Sequence, residues 1–243
     1  MNHYLKAGAL AALAAGLALP AQAAEFSVTP VRIFMTAKDR AVAVTVANEG
    51  DEEVVMQADL YTWKQKPGGE DDLTLTEDMI LSPPILKLAP KTRQVVRLAR
   101  LSARPVAEQL TYRMIVREIP EARPPSKELK LQIALAFSLP VFITPPGARR
   151  DLKCVTQRSA PDAVNAVCEN RGNAYAQPRE FTLLAESGDK LATRDSGGYI
   201  LPDITRSFEI KREGGAKIPA GKARLQVALD DGTVQTFDAV LPE

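Results

Sequence analysis

Side chains that commonly carry covalent chemistry are scarce in this 243-residue chain: one histidine, His3, and two cysteines, Cys154 and Cys168. The histidine falls in a stretch expected to be removed. MNHYLKAGALAALAAGLALPAQA has a weakly basic start at Lys6, an apolar core over 7–19 and small residues at Ala21-Gln22-Ala23, the pattern of a secretory signal peptide. A membrane anchor needs about 20 apolar residues, whereas this run is shorter and ends on Pro20. Cleavage before Ala24 leaves no imidazole, which excludes Ser-His-Asp and Cys-His nucleophiles, a His general base and a His-containing zinc site. Carboxylates are plentiful, but no acidic pair sits in a recognisable motif, and with Trp63 as the only tryptophan there is little aromatic platform for a sugar.

The cysteines lie close together in a chain bound for an oxidising compartment, so they are expected to pair as a local disulfide. A metal pair would need further Cys or His ligands, and the mature chain has none. Such a bridge stabilises by about 3 kcal/mol on the chain-entropy estimate. With 31 basic against 30 acidic residues there is no excess positive charge for phosphates, so nucleic acid is not an expected partner. No cofactor and no small-molecule substrate is expected.

Non-covalent work is a different matter. In Leu129-Lys130-Leu131-Gln132-Ile133-Ala134-Leu135-Ala136-Phe137-Ser138-Leu139, large apolar residues alternate with small or polar ones for longer than a strand of about five or six residues needs. Leu129, Leu131, Ile133, Leu135, Phe137 and Leu139 therefore share one face. The row either fills the core of its own sandwich or lies at a sheet edge and is offered to a partner lacking a strand. A long apolar edge is an aggregation hazard unless something covers it.

The elements that must position this row are short strands. Period-two blocks separated by turn residues run over 26–35, 41–48, 53–63, 73–81, 93–100, 109–119 and 129–143, then over 152–157, 164–169, 179–186, 189–194, 205–212, 222–229 and 234–241. Thr144-Pro145-Pro146-Gly147-Ala148-Arg149-Arg150 suits an exposed hinge, since consecutive prolines cannot donate to a ladder. The expected fold is all-β: a signal peptide over 1–23, an immunoglobulin-like sandwich over 24–144 carrying the long strand, and a second over 145–243.

Several motifs in order resemble the periplasmic pilus chaperones of chaperone-usher systems. They are Val31-Arg32-Ile33-Phe34 with Asn48, Ser82-Pro83-Pro84-Ile85-Leu86-Lys87-Leu88-Ala89-Pro90 with Val96-Arg97-Leu98, Arg117-Glu118-Ile119-Pro120, Leu131-Gln132-Ile133-Ala134 and Asn170-Arg171-Gly172-Asn173-Ala174-Tyr175. The resemblance implies two sandwiches set as a boomerang. It also implies donor-strand complementation: Leu131, Ile133 and Leu135, joined by Leu129 or Phe137, fill the groove of an incomplete pilin or fimbrial subunit until an outer-membrane usher takes it over. The partners implied are those subunits and the usher, in the periplasm, and a dimer of the free protein would be one way to cap the edge.

The chain also departs from the family. The arginine that in the better-known branch grips the subunit's terminal carboxylate corresponds to Arg32, but the accompanying lysine position is Pro140, and the family's interdomain ion-pair positions are Gln109 and Thr144. Ser138-Leu139-Pro140-Val141-Phe142 and Tyr112-Arg113-Met114 resemble the archaic branch. If 109–119 and 129–143 form a hairpin, Arg113 lies near the interdomain cleft and can replace the lysine, because arginine binds carboxylates bidentately. The competing readings are a secreted sandwich that is itself a surface or fimbrial component, and a carbohydrate-acting enzyme, which is the least supported.

Overall fold

A computed structural model describes residues 26–102, 107–120 and 134–243. The first half contains β1 (Phe26–Thr29), β2 (Ile33–Thr36), β3 (Ala41–Asn48), β4 (Val54–Gln65), β5 (Asp71–Leu75), β6 (Met79–Ser82), β7 (Ile85–Leu88), β8 (Arg93–Arg100), β9 (Leu110–Glu118) and β10 (Ala136–Thr144). A four-stranded sheet ordered β1-β3-β8-β6 faces a six-stranded sheet in which β2-β10-β9-β4-β5 is joined by β7 on β4. Alternation does the packing: Val44 and Val46, Val96 and Leu98, Met114 and Val116, and Val141 are fully buried in one core, while their strand neighbours face outward.

The expected block 26–35 is divided. Pro30 has no N–H to continue a ladder, and the chain leaves β1, paired with β3, to re-enter as β2, paired in parallel with β10. The expected block 73–81 is likewise split between β5 in one sheet and β6 in the other, and β7 was not anticipated.

The second half holds β11 (Leu152–Ala160), β12 (Ala163–Asn170), β13 (Pro178–Ala185), β14 (Lys190–Asp195), β15 (Thr205–Lys211), β16 (Gly221–Leu229) and β17 (Val234–Leu241). The strand order is β11-β12-β15-β14-β13-β16-β17. Strands β14 and β15 touch through the single pair Thr193 and Lys211, so the sheet folds there into two layers over a core that includes Phe181 and Phe208, whose rings lie 4.8 Å apart. Cys154 and Cys168 are opposed across β11 and β12 and joined by a disulfide of 2.04 Å.

Two asparagines from the motifs close equivalent turns. Asn48 Nδ2 donates to the carbonyls of Glu52, Leu88 and Ala89, and its Oδ1 accepts from Gly50 N. Asn170 Nδ2 donates to Ala174 and Ile200, and its Oδ1 accepts from Gly172 N. Both are buried, and a buried amide whose groups are all bonded fixes a turn that an apolar residue could not.

Candidate functional site

Strands β4 and β10 outlast their own core. Along β4, Met56, Ala58 and Leu60 face the first core, but Trp63 and Gln65, on the opposite face, are also buried. Along β10, Leu139, Val141 and Ile143 face the first core while Phe142 turns the other way and is fully buried. The outward side chains meet the second half of the chain in an aromatic cluster. Phe142 stacks on Tyr175 at 4.2 Å, and Tyr199 lies edge-on to Trp63 at 5.2 Å. Leu201 completes the cluster.

Neutral hydrogen bonds tie this junction. Gln65 accepts from Leu201 N at 3.0 Å and donates to Tyr199 O at 3.2 Å. Gln109, one of the positions where the resemblance implied an ion pair, accepts from Tyr175 N at 2.9 Å and donates to Thr144 Oγ1 at 2.9 Å. The Arg206 side chain crosses directly over Gly69 in the β4–β5 turn, where φ is +87° and a Cβ would lie 2.2 Å from Arg206 Cδ. Glycine is required there both for the left-handed backbone and for the close approach.

Strand β10 has unequal edges. Strand β9 pairs with it from Ala136 to Ile143, whereas β2 covers the other edge only from Val141 to Thr144. Among the described residues the edge from Ala136 to Pro140 is open. Glu118 N donates to Leu135 O at 3.0 Å, and the antiparallel alternation then turns the backbone groups of Phe137 and Leu139 toward β9 and those of Ala136, Ser138 and Pro140 toward the open side. Val31 and Leu135 remain exposed at 65% and 38%.

Of the expected donor row, Leu129, Leu131 and Ile133 lie outside the described residues. Leu135 is exposed beside the open edge. Phe137 is turned into its own sandwich: it packs on the first core and meets Phe26 edge-on at 4.9 Å. The reason is register, because Phe137 shares a face with the buried Leu139, Val141 and Ile143 and is opposite Val116 on β9.

Arg113 and Arg32 come into one row. Pro140 pairs with Arg113, and the parallel register that sets Val141 against Ile33, continued one residue back, sets Pro140 beside Arg32. Arg113 lies 3.7 Å over the Trp63 ring with Nη2 3.4 Å from Asp71 Oδ2, and its buried Nε has no hydrogen-bond partner among the described residues. Burial lowers its pKa, with the Asp71 charge opposing the shift, yet an arginine stays ionised. Arg32 Nη1 is 3.0 Å from Asp230 Oδ2 and 3.3 Å from Gln177 Oε1. Asp230, in the turn between β16 and β17, also receives the Tyr175 hydroxyl at 3.0 Å and lies 3.1 Å from Arg150 Nη1. Burial, with Asp230 second, pushes the Tyr175 phenol up to about 12, so it remains a donor.

The row was legible through the strand hairpin; Asp230, Gln65 and the aromatic cluster were not. A signal for the cluster exists in Leu139-Pro140-Val141-Phe142-Ile143, an unbroken apolar run of the kind found in strands covered on both faces. Nothing local in Asp230-Asp231-Gly232-Thr233 marks it as more than a turn.

The sequence profile of pili and flagellar-assembly chaperones, PapD N-terminal domain, matches residues 25–149. No curated protein matches. Among solved structures, a chain of the CsuC-CsuE chaperone-tip adhesion subunit pre-assembly complex from archaic chaperone-usher Csu pili of Acinetobacter baumannii is 19% identical, covers 90% of this chain and 100% of its own, and has a TM-score of 0.64. The E. coli chaperone DraB is 20% identical over 91% of this chain and 98% of its own, with a TM-score of 0.55. A chain of the Salmonella enterica SafA pilin and SafB chaperone complex is 14% identical over 90% and 98%, with a TM-score of 0.58.

Proposed function

The chain belongs to the family of pili and flagellar-assembly chaperones, and from that premise we propose how its open edge takes a client. The client is a fimbrial subunit with an incomplete sheet, bound in the periplasm and passed to an outer-membrane usher. Residues 1–23 are the leader, 24–144 the client-binding domain and 145–243 the domain that braces it. Binding and release need no covalent step.

One observation carries this reading: among the described residues the β10 edge is open from Ala136 to Pro140 and is closed from Val141 onward by β2, which runs parallel to β10. A client strand adding to the open stretch lies in line with β2 and must stop just before β2 begins, at Val31 and Arg32. A parallel strand ends there with its carboxylate, an antiparallel one with its ammonium. Arg32 stands at that point, and Arg113 lies farther in on β9 with its guanidinium over Trp63 of β4; both positive charges favour the carboxylate and disfavour the ammonium. The arginine row therefore selects both the direction of the added strand and a client whose last strand ends at its C-terminus. The side chains of Leu129, Leu131, Ile133 and Leu135 would fill the client's groove, each worth about 1.5–3 kcal/mol when buried.

Recovery of the tagged protein from periplasm tests the reading. A small subunit co-eluting in stoichiometric amount is expected, and its truncation by a few C-terminal residues should abolish recovery. A protein that elutes without any stoichiometric companion refutes it.

A further inference from the structure

We propose that Asp230 is an internal stand-in for the client's terminal carboxylate at Arg32, and that Arg150 is the cation that allows Asp230 to let Arg32 go. This rests on the reading above that a client C-terminus arrives at Arg32. Arg32 is one-third exposed, and its contacts to Asp230 and Gln177 both use Nη1. Asp230 is the opposite, only 5% exposed. Its backbone N donates to Gln177 O at 3.0 Å, so the residue is fixed in place. Its Oδ2 holds Arg32 and accepts from the Tyr175 hydroxyl, while its buried Oδ1 accepts no hydrogen bond among the described residues and is paired with Arg150 Nη1 by charge alone, at 3.1 Å.

That asymmetry sets the order of events. When Arg32 turns to a client carboxylate, Asp230 keeps Arg150 and Tyr175 and is not left as an unpaired buried ion, the arrangement that would make release prohibitive. Arg150 is itself shared with Asp231 at 2.6 Å. Arg32, Arg150, Asp230 and Asp231 are together neutral, so an entering carboxylate adds a charge to a balanced set. Client binding at Arg32 therefore competes with one of the ties between the two sandwiches. Asp230 and Arg150, which lie outside the first sandwich, set how strongly a free C-terminus is preferred.

Two substitutions separate this from simple loosening of the junction. The probe is a ten-residue peptide of alternating valine and threonine with an N-terminal fluorophore, made as the free acid and as the C-terminal amide, with binding to the full mature chain read by anisotropy. Asp230→Asn removes the competitor and should raise the acid-over-amide preference by about three- to tenfold. Arg150→Gln leaves Asp230 dependent on Arg32 and should lower the preference by a similar factor. Opposite shifts support the proposal. A wild-type acid preference that both variants leave unchanged, or move in the same direction, overturns it while the reading of the client terminus stands. Equal binding of acid and amide by the wild type overturns that reading, and this proposal with it.

Discussion

Ser138→Pro tests strand addition at a single atom. The Ser138 N–H faces the open side of β10 and takes no part in the ladder to β9, because Leu135 is the residue bonded to Glu118 and the alternation runs from there. Pro140, two residues on with the same orientation, shows that this strand accepts a proline at such a position. The side chain of Ser138 is exposed, so the free protein should lose no more than about 0.5 kcal/mol, the ordinary range for a surface change. The complex loses a main-chain hydrogen bond and leaves a client carbonyl without a donor, about 1–3 kcal/mol, or roughly tenfold to a hundredfold in Kd. Urea unfolding of the variant and titration with purified subunit measure the two quantities. A folded variant with unchanged Kd would refute main-chain addition at this edge, and an unfolded one would refute the assignment of that N–H to the open side.

Ile133→Glu should leave the chaperone folded by circular dichroism but remove client retention, since a charge would enter an apolar groove at a cost of several kcal/mol; an unfolded variant would return the residue to the protein's own core. Arg113→Ala should weaken client recovery and, by uncovering the Trp63 ring it stacks on, shift the emission of the chain's only tryptophan, whereas Arg32→Ala should weaken recovery and leave that emission alone. Replacing Cys154 and Cys168 by serine should lower stability by about 3 kcal/mol in denaturant without abolishing client binding at room temperature, and native protein should show no alkylatable thiol. Burial first and Asp230 second raise the Tyr175 pKa from 10.0 to about 12. The folded state therefore binds more protons than the unfolded above pH 10, so this residue's contribution is intact below pH 10 and declines as pH rises toward 12, as a series of melts across that range would show.

What sequence can show of this molecule follows the range of the interactions. The blocks 41–48 and 93–100 coincide with β3 and β8 because two-faced alternation is a local property and both strands lie over one core. Asn48 and Asn170 were found as motif residues, and their physical role is the same in each half, since each ends a strand and bonds a nearby loop. Alternation failed where a strand serves two cores. Trp63 and Phe142 are on the outward face by parity, and only the arrival of Tyr175 and Tyr199 from far along the chain buries them. The same limit applies to Phe137, which fits the donor row by pattern and is held on Phe26 in the fold. Arg113 could be placed by counting along a hairpin, but Asp230 reaches Arg32 across 198 positions, a distance over which spacing carries no information.

On the proposed function, in which the first sandwich takes the client, the double burial of β10 gives the second sandwich a purpose. Severed after Thr144, the first sandwich would present the bare rings of Trp63 and Phe142, together with the half-covered Phe34, to water. That is an aromatic patch of the kind that draws proteins together indiscriminately, on the very strand whose other end must stay selective. On that reading the second sandwich is a permanent sheath for the strand's root and leaves its tip to the client.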